Sequence, residues 1–452
     1  MPGHKLGKGI PEEFVINAAL LDLTEIPGTD NLHFPKGAIK EAQQLAAVAF
    51  GSDKTYFLVN GSTCGIHAAI MTLCKPEDKL IVARDCHKSV ISGMILAGTT
   101  PIYIKPEFEK KFGIFGAVKP NVIEAAINEN PDAVGVLITR PNYYGICSDL
   151  TEIVKIIHSY GKVLIVDEAH GAHLAFNNKL PPSAMECGAD LSIQSAHKTL
   201  PAFTQGAYLH LSFRQKHIDI DKLESCLAML QTSSPSYILM TYLDIAREIM
   251  HRKGHVLLDQ LLENILWFER SINPQWVSAI LTEKEIHLGS MDRTRIVINT
   301  NNLGKTGYEV EKILREDFNI QVEMSDFYNI VCIATVADKK EDFERLSFAL
   351  NKLRNILKDR PPLIDIPVRY LNLPNQVLGF SQIKKCNSKK LEFKKAFGKI
   401  SMSMVTPYPP GIPVICPGEL ITHEILDYVN NIVRFGGNVT GLDENGEICV
   451  VV

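Results

Sequence analysis

Two short segments of the chain carry residue types that together could hold an aldehyde cofactor. Lys198 ends the segment Ser-Ala-His-Lys at 195–198, and Asp167 lies in Val-Asp-Glu-Ala-His at 166–170. A lysine amine forms an imine with an aldehyde, and an aspartate keeps a pyridine nitrogen protonated. Both anchors are required of any protein that uses pyridoxal 5′-phosphate (PLP). The pair therefore predicts a PLP site with Lys198 as the Schiff-base lysine.

A turn near residue 60 offers a seat for the phosphate of such a cofactor. Asn-Gly-Ser-Thr-Cys-Gly at 60–65 follows a predicted strand and precedes a helical pattern at 66–73. Backbone N–H groups at the start of a helix bind phosphate, and hydroxyl side chains can add to them. Ser195 and His197 alternate around Ala196, so both could meet the same phosphate. His87, which follows another strand, could lie flat against the pyridine ring, although a capping or core histidine is the alternative.

Asp167 also allows other interpretations. An acid at a strand end is often a helix N-cap. Asp-Glu-Ala-His occurs in helicases too, but they need a G-x-x-x-x-G-K-[ST] loop upstream, which this sequence lacks. Asp167, His170 and His173 could instead bind a metal, because i, i+3 spacing brings the two histidines together on a helical turn. No further ligand cluster stands out, and no metal site is predicted.

The elements that must position these residues form an alternating pattern. Short β-rich runs separated by helical stretches, such as 149–160, predict a parallel or mixed α/β sheet with helices on both faces. Ligands on such sheets gather at the carboxyl ends of the strands, where Asp167 and Ser195 fall. The predicted strands are Tyr56–Val59, Lys79–Ala83, Thr100–Ile104, Ala133–Thr139, Val163–Val166, Leu191–Gln194 and Gly206–Leu211.

The later part of the chain indicates two further units. A helix at 237–269 leads into strands at 295–299 and 330–335 and helices at 308–316 and 340–357. A proline-rich linker begins at Asp359-Arg360-Pro361-Pro362. The predicted domains are a PLP-binding large domain with the N-terminal segment (1–254), a small α+β domain (255–357) and a C-terminal domain (375–452).

Composition limits the classes of partner. Hydrophobic residues make up 46% and charged residues 22% of the chain, which is typical of a soluble globular protein. The net charge of −4 gives no general attraction for nucleic acid or an anionic membrane. No apolar run has the length of a membrane span, and the N-terminus lacks a hydrophobic signal core. The ten cysteines form no C-x-x-C pair, which favours reduced thiols and a cytoplasmic protein.

Taken in order, these segments resemble the Orn/Lys/Arg decarboxylase family of fold-type I PLP enzymes. The resemblance is strongest to its short bacterial branch, which lacks an N-terminal wing domain, and it runs through essentially the whole chain. The matching motifs are Met1-Pro2-Gly3-His4-Lys5, Asp22-Leu23-Thr24-Glu25, Asp30-Asn31-Leu32-His33, Asn60-Gly61-Ser62-Thr63, Asp85–Ser89, Tyr143-Tyr144-Gly145, Asp167–His173, Ser195–Leu200, Thr232–Tyr237 and Tyr408-Pro409-Pro410-Gly411.

The resemblance implies a fold and a role for each residue. The fold is α/β: a PLP-dependent transferase-like (fold type I) large domain with a small α+β domain and a C-terminal α+β domain. Asp167 pairs with the pyridinium, His87 stacks on the ring and His170 lies beside it. Thr232 reaches the phosphate of the partner subunit, so a homodimer or an assembly of dimers is the expected active unit. The phosphate-binding residues implied within one chain are Ser62, Thr63, Cys64, Ser195 and His197.

Three features depart from the family pattern. Arg140-Pro141-Asn142 stands where small residues and a threonine are expected, and Ser403 stands where many short-branch relatives have glutamate. Because the C-terminal domain closes over the substrate mouth in this family, Ser403 bears on substrate preference. Relatives also carry a short helix before the Pro-Gly-His-Lys motif that opens this chain, which bears on dimer packing.

The function implied is α-decarboxylation of a basic amino acid, arginine first, then lysine and ornithine, to a polyamine or polyamine precursor. Acids that could hold the distal cation of the substrate are Asp22, Glu25, Asp30 and Glu323. One alternative is an aminotransferase or aldolase-type lyase, which would need an arginine clamp for the α-carboxylate, with Arg295 in a suitable position. Another is a non-catalytic, PLP-binding regulatory paralogue, although a sensor has no need of Lys198, Asp167 and His87 together.

Overall fold

A computed structural model describes most of the 452-residue chain. The described residues are 1–16, 18–214, 218–273, 276, 279–357, 372–408 and 411–452. The linker predicted from residue 359 lies largely outside them. No helix within these ranges combines the length and the apolar character that a membrane span requires.

The strands of the described residues follow one another with helices between most of them. In chain order they are β1 (Lys54–Leu58), β2 (Lys79–Ala83), β3 (Thr100–Ile104), β4 (Phe108–Glu109), β5 (Ile114–Phe115), β6 (Gly135–Thr139), β7 (Ile146–Cys147), β8 (Val163–Asp167), β9 (Leu191–Gln194), β10 (Ala207–Leu211), β11 (Ser290–Met291), β12 (Arg295–Asn299), β13 (Met324–Ser325), β14 (Asn329–Ile333), β15 (Ser388–Glu392), β16 (Thr406–Tyr408), β17 (Asn438–Thr440) and β18 (Glu447–Val451).

The α-helices of the described residues range from single turns to one helix of 35 residues. They are α1 (Glu12–Ile16), α2 (Ala38–Phe50), α3 (Gly61–Leu73), α4 (Lys88–Ala97), α5 (Pro120–Glu129), α6 (Leu150–Ser159), α7 (Ala184–Cys187), α8 (Ala196–Thr199), α9 (Ile220–Leu230), α10 (Tyr237–Ser271), α11 (Gly307–Phe318), α12 (Lys340–Leu357), α13 (Phe380–Ile383) and α14 (His423–Arg434).

The central element is a seven-stranded sheet in the order β1-β10-β9-β8-β6-β2-β3. β10 runs antiparallel to both of its neighbours, while the pairs β9–β8, β8–β6, β6–β2 and β2–β3 are parallel. The seven strands are those predicted from the sequence; three have the predicted ends, and the ends of the other four differ by at most two residues. Because the parallel strands end at one edge, the residues that follow them are brought together there.

The sheet is covered on both faces, which explains its nearly continuous apolar strands. β6, β8 and β9 are buried along their whole length. Apolar residues of α3, α4 and α9 pack against one face, and those of α5 and α6 pack against the other. Each helix that carries a site residue at its N-terminus is thus held by a hydrophobic face.

Two smaller units flank the sheet. The first has the antiparallel sheet β12-β14-β13, with α12 and the second half of α10 packed in one apolar cluster beside it. The second holds the strand pairs β15–β18 and β16–β17 around α14, with its own apolar cluster. The predicted boundary at 254/255 falls inside α10, so this helix is shared by the large domain and the small unit. The domain bounds remain predictions.

Candidate active site

Four loops meet at the carboxyl edge of the central sheet. Asp167 is the last residue of β8, and Lys198 lies on α8, directly after β9. His87 caps α4 after β2, and Ser62 lies in the first turn of α3 after β1. Lys198 contributes to the electrostatics of both Asp167 and His87. The predicted anchors therefore share one site, although they are far apart in the sequence.

Asp167 is held in a dry position at the end of its strand. Its side chain is 3% exposed, and its Oδ1 accepts a hydrogen bond from the backbone N–H of Ala169 at 3.2 Å. Burial raises the pKa of Asp167, and the nearby Lys198 opposes that shift. A buried carboxylate can hold a protonated ring nitrogen in its charged form, because opposite charges attract strongly away from water.

Lys198, His170 and Arg295 are three basic side chains in successive contact. Its Nζ lies 3.1 Å from Nε2 of His170. Nδ1 of His170 lies 3.1 Å from Nη2 of Arg295, which also donates to the carbonyl of His170 at 3.0 Å. Burial lowers the pKa of Lys198, while Asp167 raises it. The lysine is thus desolvated and close to a base, which favours a reactive amine.

His87 is a neutral, oriented ring. Its Nδ1 accepts hydrogen bonds from the backbone N–H of Ser89 at 3.2 Å and from the Ser89 hydroxyl at 2.8 Å. Burial, followed by the charge of Lys198, lowers the pKa of His87 to about 3. With Nδ1 accepting, the proton of the neutral ring is on Nε2. A Cβ placed on Gly411 would lie 3.2 Å from the ring, so the loop after β16 packs directly on this histidine.

The residues predicted to bind phosphate on α3 and in the loop after β9 offer two kinds of donor: a pair of hydroxyls, and the backbone N–H groups at the start of α3. The Ser195 hydroxyl donates to that of Ser62 at 2.8 Å, which joins the loop after β9 to α3. Thr63 is exposed in the same first turn. The Cys64 thiol faces the other way and donates to the carbonyl of Gly61, and burial raises the pKa of this thiol to about 12. Cys64 can therefore offer only its backbone N–H at the helix N-terminus.

His197 is oriented by the backbone next to Lys198. Its Nδ1 lies 3.0 Å from the carbonyl of Gly206, to which only an N–H can donate, so Nε2 carries the lone pair of the neutral ring. Burial lowers the pKa of His197 to about 4. A phosphate dianion beside Nε2 would raise that pKa, because an opposite charge favours the imidazolium. His197 can thus gain a proton when an anion is present.

Thr232 lies on the surface of the described chain. It is exposed, its hydroxyl pairs with that of Ser234 at 3.3 Å, and its carbonyl contacts the ring of His33 at 2.9 Å. The position of Thr232 on the surface is compatible with a role in a partner subunit. That role remains a prediction.

The N-terminal segment packs against the lysine-bearing turn. The backbone N–H of Gly3 donates to the carbonyl of His197 at 3.2 Å. A Cβ at Gly3 would lie 2.0 Å from the carbonyl oxygen of Leu200, so only glycine fits there. Lys5 donates to the carbonyl of Ile333 at 2.7 Å, which ties the segment to β14. The Pro-Gly-His-Lys motif therefore positions α8, which carries Lys198.

A buried ion pair holds the C-terminal unit over His87. Arg84 donates to the carbonyl of Pro413 at 2.5 Å, and its Nη2 lies 3.1 Å from Oε2 of Glu419. The two side chains are 6% and 0% exposed. Glu419 also accepts from the backbone N–H of Cys416 at 2.6 Å. This clamp fixes the loop that places Gly411 on the ring of His87.

Replacing Arg84 by methionine is expected to destabilise the protein by about 3–5 kcal/mol, because it leaves the Glu419 charge buried and unpaired. The double change Arg84→Met/Glu419→Gln removes that charge while an amide oxygen still accepts from Cys416, so it should lose clearly less. Urea unfolding of both variants measures the difference. Equal losses in the two variants would show that the ion pair does not stabilise the contact between the two units.

The side chains of two of the departures from the family pattern, Arg140 and Ser403, make structural hydrogen bonds. Arg140 is 1% exposed and donates to the carbonyls of Ser148 at 3.1 Å and Pro182 at 2.7 Å, so it braces the strand beside Asp167. Ser403 accepts from the backbone N–H of Cys449 at 3.3 Å, within the C-terminal unit. Arg140 is therefore compatible with an intact site.

The four acids proposed for the distal cation of a substrate differ in their surroundings. Asp30 is a structural residue, because its carboxylate accepts from the backbone N–H groups of five residues, Asn31, Lys36, Gly37, Ile39 and Lys40. Asp22 is exposed, and Glu25 is partly buried. Glu323 is exposed too, and its charge acts on both Lys198 and Arg295. Glu323 is thus the acid with an electrostatic connection to the site.

The metal alternative has no supporting geometry in the described part of the chain. No group of three or more histidine, cysteine, aspartate or glutamate side chains is arranged to hold a metal there. His170 faces the basic groups of Lys198 and Arg295, which would repel a cation, and His173 faces Asp292 at 3.2 Å. The two histidines are thus oriented towards different partners.

The donor set fits PLP. It provides a desolvated amine on Lys198, a buried carboxylate on Asp167, a planar neutral ring on His87, and hydroxyls beside a helix N-terminus at Ser62. These are, respectively, partners for an aldehyde, a pyridinium nitrogen, an aromatic face and a phosphate. Sequence reasoning missed the contacts of Gly411 with His87 and of Arg295 with His170, which only the folded chain brings together.

Comparisons with known proteins agree with this geometry. The family description Orn/Lys/Arg decarboxylase, major domain, matches residues 1–291, and Orn/Lys/Arg decarboxylase, C-terminal domain, matches residues 373–447. An arginine decarboxylase of Bacillus subtilis is 38% identical over 455 residues, covering 98% of this chain and 92% of the relative. An arginine decarboxylase of Bacillus anthracis is 37% identical over 454 residues, covering 98% and 91%.

Solved structures show the same fold. The lysine decarboxylase of Francisella novicida aligns with a TM-score of 0.82 at 22% identity, covering 100% of this chain and 78% of that protein. A serine palmitoyltransferase of Sphingomonas wittichii aligns with a TM-score of 0.61 at 13% identity, covering 79% and 86%. The predicted fold class, with its fold-type I large domain, is therefore confirmed.

Proposed function

The chain belongs to the Orn/Lys/Arg decarboxylase family, and on that premise we propose that it is a PLP-dependent decarboxylase of a basic amino acid, arginine first, then lysine and ornithine. The observation that carries the proposal is the meeting of Lys198, Asp167 and His87 at one sheet edge, in a chain that matches the family over both of its domains. The arginine preference rests on the names of the Bacillus relatives. The products would be agmatine, cadaverine or putrescine.

The residues of the site divide the work among them. Held by these residues, PLP would supply an electron sink for the cleavage of a bond at Cα of the substrate. Asp167 keeps the charge at the ring nitrogen, and its burial strengthens that interaction. His87 holds its proton on Nε2 and offers a flat neutral face. Lys198 is the amine that anchors the cofactor, and Ser62, Thr63, Ser195 and His197 surround the place for the phosphate.

The state of Arg295 favours a decarboxylase over an aminotransferase. An α-carboxylate clamp needs a guanidinium whose donors face the substrate. The Arg295 side chain is fully buried, with Nη2 engaged by His170 and Nη1 lying 3.4 Å from Thr294 Oγ1. Its donors are directed into the protein, behind His170. A non-catalytic paralogue is disfavoured because the complete set of Lys198, Asp167 and His87 is present.

The expected setting is a homodimer, or an assembly of dimers, in the cytoplasm, serving polyamine biosynthesis. Support for the dimer comes from the exposed position of Thr232, whose family role lies in the partner subunit. The expectation of cytoplasm rests on the absence of a cysteine pairing pattern in the sequence. A basic amino acid is the proposed partner, and neither nucleic acid nor a membrane is proposed.

End-point amine analysis of the PLP-loaded protein tests the proposed function. The protein is incubated separately with arginine, lysine and ornithine, without a keto acid. A single dominant amine, expected to be agmatine, would assign both reaction and substrate. Absence of amine from all three, in protein that carries bound PLP, would rule the proposal out. Amine formation only after a keto acid is added would instead identify an aminotransferase.

A further inference from the structure

In the contacts from Arg295 to His170 and from His170 to Lys198, hydrogen-bond chemistry determines which atom donates and which accepts. We propose that Arg295 is a positioning residue that fixes the tautomer of His170 and thereby keeps the side chain of Lys198 as a neutral amine. The inference deepens the proposed function, since its catalytic consequence rests on Lys198 as the cofactor-binding lysine. The geometry itself concerns only residues of this chain.

The first step is the contact between Arg295 and His170. Nη2 of Arg295 lies 3.1 Å from Nδ1 of His170 and 3.0 Å from the carbonyl oxygen of the same residue. A guanidinium has five N–H donors and no acceptor, and it stays protonated in proteins. Nδ1 must therefore accept the hydrogen bond with its lone pair. The ring of His170 cannot carry a proton on Nδ1 while this contact is made.

The second step concerns Nε2 of the same ring. A neutral imidazole has one N–H, so with Nδ1 accepting, the proton is on Nε2. Nε2 lies 3.1 Å from Nζ of Lys198. An ammonium has three donors and no acceptor, whereas a neutral amine has a lone pair that can accept. The contact is therefore a hydrogen bond from His170 to the amine form of Lys198, and the ammonium form would set donor against donor.

The third step concerns the contacts that hold the guanidinium of Arg295 and the ring of His170 in place. Arg295 Nη1 lies 3.4 Å from Thr294 Oγ1 and 3.9 Å from Asp292 Oδ2. Asp292 in turn accepts from the Thr294 hydroxyl at 2.7 Å and contacts His173 at 3.2 Å. The ring of His170 is also packed edge-on by Tyr143, with centroids 5.2 Å apart. The guanidinium and the ring are thus held from behind, and the orientation of His170 is determined by neighbours on three elements.

Charged neighbours both raise and lower the pKa of Lys198, and they lower the pKa of His170. Lys198 experiences Asp167 and Glu323, which favour its ammonium, and Arg295, which opposes it. His170 experiences Lys198, Arg295, His87 and His197, all of which oppose its imidazolium. Burial lowers the pKa of both groups. The hydrogen-bond line therefore adds to desolvation and offsets the attraction of Lys198 to Asp167.

A neutral Lys198 is the form that cofactor uptake requires. The lone pair of its nitrogen forms the bond to the aldehyde carbon, the nitrogen gives up its two protons, and the aldehyde oxygen leaves as water. An ammonium has no lone pair and must first lose a proton. By keeping the amine form available as the pH falls, Arg295 would widen the pH range over which the protein takes up its cofactor.

Histidine NMR tests the tautomer directly. In full-length, cofactor-free protein labelled with ¹⁵N in its 14 histidines, the signals of His170 are identified by their loss in His170→Gln. We expect the Nε2–H tautomer in the wild type at neutral pH, and a mixture of tautomers in Arg295→Met. An Nδ1–H tautomer or an imidazolium in the wild type would overturn the inference. An unchanged tautomer in Arg295→Met would overturn it equally.

Amine acylation tests the consequence for Lys198. The pH midpoint for labelling Lys198 with an amine-selective acylating reagent is followed by mass spectrometry in the same cofactor-free protein. In Arg295→Met we expect the midpoint to rise by about one unit, which corresponds to about tenfold slower labelling below it. Arg295→Lys, which keeps a charged donor, should remain nearer the wild type. Labelling of Arg295→Met at the wild-type midpoint would contradict the inference.

The control is Arg247→Met, which removes another buried arginine, 4% exposed, whose donors go to Asp244 and Glu248 on its own helix α10. In this variant Lys198 should be labelled with the wild-type pH midpoint. An equal shift of the midpoint in both variants would show that the effect comes from general loosening of the core. Because neither readout needs PLP or turnover, the inference can fail while the protein decarboxylates arginine. It can equally hold while no amine is formed, so the two failures are distinguishable.

Discussion

Replacing Lys198 by alanine is expected to lower amine formation from arginine by roughly 10³- to 10⁶-fold, in the range seen when a catalytic nucleophile is removed. Lys198 provides the amine that anchors the cofactor, and its Nζ is held 3.1 Å from Nε2 of His170 in a desolvated position. Alanine removes the whole functional group and leaves the short helix α8 intact. The initial rate of CO₂ release at saturating arginine and PLP measures the loss.

The control for this change is Lys179→Ala. Lys179 is an exposed lysine whose ammonium pairs with Asp259 at 2.8 Å, and it is not one of the residues of the site. It should retain wild-type turnover. Lys198→Ala should also keep a cooperative thermal transition, which separates loss of chemistry from loss of fold. Turnover of Lys198→Ala within tenfold of the wild type would show that another group anchors the cofactor.

Replacing Asp167 by asparagine is expected to lower kcat by about 10²- to 10³-fold, the size of effect that follows loss of one buried electrostatic partner of the reacting group. The amide keeps the shape of the side chain, and its oxygen can still accept from Ala169 at the strand end. What it loses is the negative charge that holds the pyridine nitrogen protonated. Steady-state kinetics with arginine gives kcat, and the absorbance of bound cofactor checks occupancy.

A matched control exists at the opposite edge of the same sheet. Asp190 is fully buried just before β9, where it accepts from the backbone N–H of Leu164 at 2.8 Å and contacts His158 at 3.0 Å. Asp190→Asn should destabilise the fold while the folded protein keeps its turnover. If Asp190→Asn and Asp167→Asn lowered kcat alike, the effect would come from weakening the sheet, and the role of Asp167 at the ring nitrogen would be wrong.

Much of the fold follows from local sequence patterns. All seven strands of the central sheet were predicted, because buried parallel strands are short apolar runs separated by helical periods. β12 and α12 have the predicted bounds Arg295–Asn299 and Lys340–Leu357. The carboxyl-edge placement of Asp167 and Ser195 followed from strand order in the sequence, since both residues come directly after predicted strands.

What could not be predicted depends on contacts between distant parts of the chain. The burial of Arg295 behind His170 needs β12 of the small unit to reach the loop after β8. Arg140 stands where a small residue was expected, and the sequence did not show that its guanidinium turns to the carbonyls of Ser148 and Pro182. The direction of a side chain at a strand end is set by its tertiary neighbours, and one sequence contains no record of them.

The sequence prediction treated whole motifs as units, so it did not separate residues of one motif whose side chains point in different directions. Ser62, Thr63 and Cys64 were grouped as phosphate residues. In the folded chain the hydroxyl of Ser62 meets that of Ser195, while the thiol of Cys64 turns back to the carbonyl of Gly61. Neighbours on the first turn of a helix point about 100° apart, so one motif can face both the site and the core.

The central claim is loss of the α-carboxylate with protonation at Cα. Its most direct test is a single incubation of the PLP-loaded protein in D₂O with arginine labelled with ¹³C in the carboxyl group. Decarboxylation predicts labelled CO₂ and agmatine in equal amounts, with one deuterium at the former Cα. Labelled keto acid in place of labelled CO₂, or arginine recovered with its carboxylate intact, would contradict it.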